Sequence, residues 1–171
     1  MKIKNWVWGL GIILFSASVT AAPWNERKAP ASSTHSAAGS WIVSGGFGLT
    51  FSPTLVLLNP QLEYVHDSHL SFGPMIQAGL GDATLVTFSG TVRYQIGTHP
   101  KLRPNVEGGL GMAVASAYYT SSVGVHIMFG MGADYMIDNS LSVGTSFRVN
   151  LAPPVDTFFL SWPLVVVRLK I

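Results

Sequence analysis

The chain contains no cysteine and few charged residues among its 171 residues. The lack of cysteine excludes a disulfide framework and thiolate chemistry. Charged residues make up 11% of the chain, whereas the surface of a soluble domain usually needs about 25–35%. The composition therefore disfavours a domain of this size that faces water on all sides.

Long apolar runs are also missing after the first 22 residues. A transmembrane helix needs about 20 consecutive apolar residues, and no later stretch reaches that length. The 18 glycines are scattered through the remaining apolar stretches, and glycine disfavours helices. Low charge without a spanning helix predicts a membrane β-barrel, which crosses the bilayer with strands.

The N-terminus has a different character from the rest of the chain. Residues 1–22 carry Lys2 and Lys4, then an apolar core, then small residues, and this order predicts a secretory signal peptide. A single membrane anchor is the alternative, but the apolar core is short for a span. Residues 23–39 are small, polar and aperiodic, which predicts a flexible N-terminal segment. The barrel is expected over residues 40–171.

The charge balance excludes nucleic acid as a partner. Ten basic residues outnumber eight acidic ones, but Lys2 and Lys4 of the signal peptide account for the whole excess. The mature chain has no basic stripe that could neutralise phosphates.

The stretch "TLVTFSGTVRYQI", Thr84 to Ile96, shows the pattern that dominates the chain. Its even-numbered residues are almost all apolar, and its odd-numbered residues, Arg93 among them, are polar. A period of two is typical of a strand with two different faces.

Eight segments with this alternation follow one another, separated by short turns such as "HDSH" at 66–69 and "DNS" at 138–140. Longer loops are expected at 52–56, 116–122 and 151–156. An even number of strands lets an up-and-down antiparallel sheet close into a barrel without an edge. The predicted strands are Ser40–Phe51, Leu57–His66, His69–Leu80, Thr84–Ile96, Arg103–Ala115, Val123–Met136, Leu141–Asn150 and Thr157–Ile171.

Titratable residues in mid-strand all fall on the face opposite the apolar set of their strand. They are Glu63, Arg93, Glu107, His126, Asp134 and Arg148. A charge facing lipid at the bilayer midplane costs about 2–4 kcal/mol in a barrel, so these residues are predicted to form a polar network in the lumen. The other inward residues are mostly small, and eight strands leave an interior that side chains can fill.

Strand register predicts one ion pair within that network. A turn centred on Pro100 would set Arg93 opposite Glu107, and directly opposed side chains lie within ion-pair reach.

Aromatic residues near predicted strand ends are candidates for the two membrane–water interfaces, where barrels carry aromatic girdles. Ordinary hydrophobic packing is the alternative for each of them. The candidates are Trp41, Tyr64, Phe72, Tyr94, Tyr135 and Trp162.

The whole pattern over residues 40–171, including glycine-rich strands such as "VEGGLGMAVA" and "FGMGADYMI", resembles the small eight-stranded outer-membrane barrels of Gram-negative bacteria, the OmpA/OmpX type. Such chains usually end in an aromatic residue, whereas this one ends in Ile171. The resemblance implies a structural or surface-interaction role in the outer membrane. It also implies contact with outer-membrane lipid, including lipopolysaccharide, and with the barrel assembly machinery.

Other functions remain open at this stage. The polar lumen would suit a narrow channel for small solutes or ions. His66, Asp67, Ser68 and His69 are residue types of a serine hydrolase, and some similar barrels modify lipid A, but adjacent turn residues are poorly placed to form a triad. A soluble lipid-carrying barrel would need a charged exterior. The sequence indicates no enzyme, cofactor or metal, since His66 and His69 have no evident third ligand.

Overall fold

The computed structural model describes residues 38–97, 99–117, 120–154 and 156–171, without the side chains of residues 117, 120, 156 and 157. The signal peptide predicted over 1–22, most of the segment predicted over 23–39, and the loop tip at 118–119 lie outside these ranges.

Eight antiparallel strands form one closed barrel, in which each strand pairs with its neighbours in the chain and β8 pairs with β1. This confirms the predicted all-β, eight-stranded, up-and-down barrel. An 11-residue strand tilted by about 45° spans about 26 Å, which matches the apolar core of a bilayer. The strands are β1 (Trp41–Phe51), β2 (Leu55–Val65), β3 (Leu70–Leu80), β4 (Thr84–Gln95), β5 (Leu102–Ala117), β6 (Thr120–Met136), β7 (Leu141–Ala152) and β8 (Asp156–Lys170).

The alternation of apolar and polar residues determines which face of each strand points inward. Along β4, Leu85, Thr87, Ser89, Thr91 and Arg93 are buried, while the residues between them are exposed or half-buried. The other strands follow the same period of two, because successive side chains of a strand point to opposite faces. The polar face of the sheet is therefore enclosed, and the apolar face forms the outer wall.

Three of the predicted loops are shorter than expected, because the flanking strands continue into them. Residues 55 and 56 belong to β2, residues 120–122 to β6, and residues 151 and 152 to β7. The β5–β6 hairpin is lengthened most. Its strands have 16 and 17 residues, whereas β1–β4 have 11 or 12 each. It is the longest hairpin of the described barrel.

A β-bulge in β8 explains why the alternation of "TFFLSWP" is ambiguous in the sequence. The β1–β8 ladder shifts register between Phe47 and Gly48, so Leu164 has no partner in β1. Leu164 and Val165 are therefore both exposed, while Pro163 and Val166 on either side are buried. An extra residue in one strand interrupts the period of two, and the inward face changes from odd to even residue numbers.

The barrel has two rims. The terminal rim carries Ser40 and Ile171 together with the connections β2–β3, β4–β5 and β6–β7, and the opposite rim carries the connections β1–β2, β3–β4, β5–β6 and β7–β8. Within the ranges that the structure describes, no helix is long and apolar enough to cross a membrane.

Candidate functional site in the barrel lumen

A network of buried ionic side chains fills the half of the lumen nearer the terminal rim. Arg93 and Glu107 face each other in the β4–β5 ladder, at the register predicted from the turn. Arg93 Nη2 donates a hydrogen bond of 3.4 Å to Glu107 Oε2, and Arg93 Nη1 donates a shorter one, 2.8 Å, to Glu63 Oε1. Arg93 therefore lies between two carboxylates, those of Glu63 and Glu107, and forms a hydrogen bond with each.

Glu107 is closer to a second arginine across the lumen. Arg148 Nε on β7 donates to Glu107 Oε1 over 2.5 Å, and Arg148 Nη1 donates to Asn59 Oδ1 over 2.5 Å. Arg148 is 0% exposed. A guanidinium so far from water requires charged and polar partners, because an unpaired buried charge is very costly.

Two buried arginines were missed by the sequence analysis. Arg168 forms an ion pair through Nη1 with Asp134 Oδ1, and Arg103 is also buried near the start of β5. Both lie on the polar face of their strands, so the alternation itself could have identified them. They were passed over because they stand near strand ends, where a charge can also reach solvent.

The middle of the lumen holds a layer of uncharged polar groups around His126. His126 Nδ1 lies 2.6 Å from Ser89 Oγ, and His126 Nε2 lies 3.0 Å from Asn150 Oδ1. Asn150 Nδ2 donates to Ser161 Oγ over 3.0 Å, and Ser161 Oγ donates to Gln77 Oε1 over 3.0 Å. His126 therefore belongs to a hydrogen-bonded layer separate from the ion pairs.

Ser89, His126 and Asn150 have the residue types of a nucleophile, a base and an orienting group. All three are 0% exposed, and the Phe159 ring stacks on the imidazole with centroids 6.0 Å apart. A nucleophile must reach its substrate, and here the serine side chain is enclosed in the barrel interior. Within the described interior, these three side chains hydrogen-bond to one another.

The other hydrolase-like segment, "HDSH", is a turn at the terminal rim. Asp67 Oδ1 accepts hydrogen bonds from His69 N at 2.7 Å and Leu70 N at 2.8 Å. These bonds lower the pKa of the Asp67 carboxyl from its usual value. The His69 ring stacks on Tyr94, 5.8 Å away. Asp67 thus closes a turn on its own backbone, as Asp commonly does.

Apolar side chains close the lumen towards the opposite rim, where the sequence analysis expected polar or small residues. A buried cluster there joins Leu55, Leu85, Ala113, Ala152 and Phe159. In order from the terminal rim, the lumen thus holds an ionic layer, an uncharged polar layer and a mostly apolar layer, in which Thr50 and Thr87 are also buried.

The predicted interface aromatics fall into two groups. Five lie at the terminal rim, where Trp41 and Tyr64 have ring centroids 5.2 Å apart and Tyr64 and Phe72 5.6 Å apart. Trp162 instead pairs with Leu49, towards the opposite rim, and its Nε1 donates to Thr145 Oγ1 over 3.1 Å. The described residues include no group of three or more His, Asp or Glu side chains that could hold a metal ion.

Comparison with known proteins supports the fold assignment. No family model matches the chain, and no curated protein sequence matches it. The N-terminal β-barrel domain of Pseudomonas aeruginosa OprF superposes with a TM-score of 0.67 at 14% identity, over 78% of this chain and 98% of that domain. Neisserial surface protein A gives a TM-score of 0.65 at 13% identity, over 78% and 98%.

An enzyme also shares the architecture. The outer membrane enzyme PagL matches with a TM-score of 0.50 at 18% identity, over 76% of this chain and 99% of PagL. The barrel fold is thus compatible with both catalytic and non-catalytic proteins, and function has to be argued from the site. The closed eight-stranded antiparallel topology and these superpositions show that the chain has the fold of the small eight-stranded outer-membrane barrels.

Proposed function

We propose that this protein is an integral outer-membrane β-barrel with a structural or surface-interaction role and no catalytic activity. The observation that carries the proposal is the inverted distribution of its side chains. Every Asp, Glu and Arg of the strands with described burial is buried, while 33 large hydrophobic side chains of the described residues are exposed, with Leu110 at 64% and Phe129 at 64%. Soluble proteins rarely expose continuous apolar surface on this scale, whereas lipid requires it.

The outer membrane is the bilayer that fits this architecture. Closed β-barrels of eight strands are a form that outer-membrane proteins take, and PagL is itself described as an outer membrane enzyme. On this proposal, residues 1–22 direct export and are removed, and the barrel assembly machinery inserts the mature chain. The apolar wall then contacts outer-membrane lipid, including lipopolysaccharide.

The long β5–β6 hairpin is the element best suited to contact other molecules. On the opposite rim, β6 continues to Thr120, beyond Ile127, where its ladder with β7 ends. Ser116, Ser121 and Ser122 near the hairpin tip are exposed. We place the opposite rim outside the cell, because the longest hairpin of the described barrel, β5–β6, lies on this rim and outer-membrane barrels carry their longer connections on the extracellular side.

Cysteine labelling tests both insertion and orientation, because the chain has no cysteine of its own. Ser121→Cys on the β5–β6 hairpin should react with a membrane-impermeant maleimide in intact cells. The matched variant Asn139→Cys, in a turn of the terminal rim, should react only after the outer membrane is opened. Labelling of Asn139→Cys alone in intact cells would reverse the orientation. Recovery of both variants in the soluble fraction would refute membrane insertion.

The alternatives predict different measurements. A channel should give sustained conductance steps in planar bilayers, whereas the proposed role, with buried side chains filling the lumen, predicts none. An enzyme acting on lipid A should change the acylation pattern of lipid A, and that change should disappear in Ser68→Ala or Ser89→Ala. The proposed role predicts the same lipid A composition with and without the protein.

A further inference from the structure

We infer that the lumen binds a small monovalent inorganic anion of the chloride class in a recess next to the terminal rim. The recess has a volume of about 30 Å³. Four cationic side chains line it, Arg93, Arg103, Arg168 and Lys170, together with two carboxylates, Glu63 and Asp134. The charged groups around the recess thus carry an excess of two positive charges. This inference does not depend on the proposed function.

The two carboxylates already have partners. Glu63 accepts hydrogen bonds from Arg93 Nη1 at 2.8 Å and from Ser71 Oγ at 2.7 Å. Asp134 accepts one from Asn105 Nδ2 at 3.1 Å and is paired with Arg168 Nη1. Glu107, the next carboxylate in the lumen, is shared between Arg148 and Arg93. Each of these three carboxylates is therefore already paired with an arginine.

Some N–H groups of Arg168 and Arg93 have no acceptor among the described residues. Arg168 Nη2 and Arg93 Nε have no hydrogen-bond partner among the described residues, although both side chains are at most 4% exposed. Arg168 Nε has only a distant carboxylate, Glu63 Oε1 at 3.9 Å. A guanidinium has donors and no acceptor, and leaving its buried N–H groups unpartnered is costly. The missing partner must accept hydrogen bonds.

Size and charge identify that partner as a small anion. A site needs about 10–15 Å³ to hold one water molecule, so this recess has room for about two waters or one halide ion. A halide accepts hydrogen bonds from several donors and also neutralises the surplus positive charge. Water also accepts hydrogen bonds, but it carries no charge. A phosphate or a carboxylate metabolite is larger than this volume and would have to extend out of the recess.

Bromide is the probe for a direct test, because it replaces chloride and scatters X-rays anomalously. Crystals of the refolded barrel grown without halide and soaked in sodium bromide should show one anomalous peak within hydrogen-bond reach of Arg93 and Arg168. Ordered density in the recess without an anomalous signal would mean water only, and would overturn the inference.

Stability in solution gives a second readout, because a ligand that binds only the folded state stabilises it in a saturable way. At constant ionic strength, replacing gluconate with bromide should raise the unfolding midpoint of the wild type and of Lys101→Gln, a control on the same rim outside the recess. Lys170→Gln should need about tenfold more bromide for the same shift, a change in affinity of about 1.4 kcal/mol.

Arg168→Gln should abolish the shift altogether. If Arg168→Gln does not fold, Lys170→Gln retains the test, because Lys170 lies at the rim and is only half-buried. Equal stabilisation by bromide and gluconate, or an unchanged bromide dependence in Lys170→Gln, would overturn the inference.

Discussion

Glu107 is the residue at which the ionic layer is joined together, because it lies between two arginines on different strands. Its distance to Arg148 Nε is 2.5 Å, against 3.4 Å to Arg93 Nη2. Arg93 in turn is closer to Glu63, at 2.8 Å. These distances give an order of interaction strengths within the layer, and the order can be measured.

We predict that Glu107 is coupled more strongly to Arg148 than to Arg93. Double-mutant cycles with Glu107→Gln, Arg148→Met and Arg93→Met, measured by urea unfolding in lipid vesicles, should give coupling energies within about 0.5–3 kcal/mol, the larger for Arg148. Arg148→Met alone should cost about 3–5 kcal/mol, because it leaves polar partners buried without their cation. A larger coupling for Arg93 would contradict the geometry.

Only part of this layer could be predicted from the sequence. Arg93 and Glu107 lie on adjacent strands joined by a short turn, so counting residues gives their register. The contact of Arg148 with Glu107 crosses from β7 to β5, two strands that do not pair. Whether side chains meet across a lumen depends on the tilt and stagger of the strands, and alternation in the sequence carries no information on either.

A turn carboxylate gives a pH prediction. Asp138 Oδ1 accepts hydrogen bonds from Ser140 N at 2.7 Å and Leu141 N at 2.8 Å, and these bonds lower the pKa of Asp138. A carboxyl whose pKa is lowered by folding stabilises the protein above its unfolded pKa, about 3.9, and this contribution is lost as pH falls through the folded pKa.

The stability of the wild type should therefore fall below about pH 4, with a contribution from Asp138 that Asp138→Asn lacks. The amide of asparagine keeps an acceptor oxygen but does not titrate in this range. Urea unfolding of both proteins at pH 7 and pH 3 measures the difference. An identical pH dependence of the two proteins would show that Asp138 contributes nothing to it.

At the scale of the strands, glycines allow close contact between neighbours in a narrow barrel. A Cβ added at Gly111 on β5 would lie 2.6 Å from Ser89 Cα on β4, closer than real Cβ atoms come to backbone. Gly45 on the outer face of β1 has nothing within 4 Å of the same position. The two glycines thus have different reasons to be present.

Gly111→Ala should destabilise the barrel by about 1–3 kcal/mol, as overpacking does. Gly45→Ala should be neutral or stabilising by up to about 1 kcal/mol, because alanine loses less backbone entropy on folding. Urea unfolding in vesicles of the same lipid compares the two. Equal effects of the two substitutions would mean that the β4–β5 approach is not a steric constraint.

The strands themselves were largely predictable, and the exceptions have physical causes. Alternation identified all eight, since a two-faced wall between lipid and a polar interior imposes a period of two. The extension of the β5–β6 hairpin was not predicted, because residues 120–122, "TSS", contain no apolar residue and so show no alternation of apolar and polar positions. The bulge at Leu164 was missed because "TFFLSWP" is apolar on both faces, and the inward Phe159 belongs to the apolar layer of the lumen.

At the scale of the whole molecule, the distribution of polar and apolar side chains is the inverse of that in a soluble protein. Apolar side chains cover the outer wall, the Asp, Glu and Arg side chains of the strands with described burial lie in the lumen, and an apolar cluster is buried towards the opposite rim. The same arrangement explains how a chain with 11% charged residues can fold stably, because lipid replaces water around most of its surface.

The most direct test of this inverted distribution is the contact between methyl groups and lipid, measured by NMR in phospholipid nanodiscs. Val92 and Leu110 are 51% and 64% exposed, whereas Val166 and Leu57 are each 1% exposed, which gives two matched pairs of the same residue type. We predict nuclear Overhauser effects to acyl-chain methylenes from Val92 and Leu110 and none from Val166 and Leu57. Acyl-chain contacts from Val166 and Leu57, with none from Val92 and Leu110, would contradict the account.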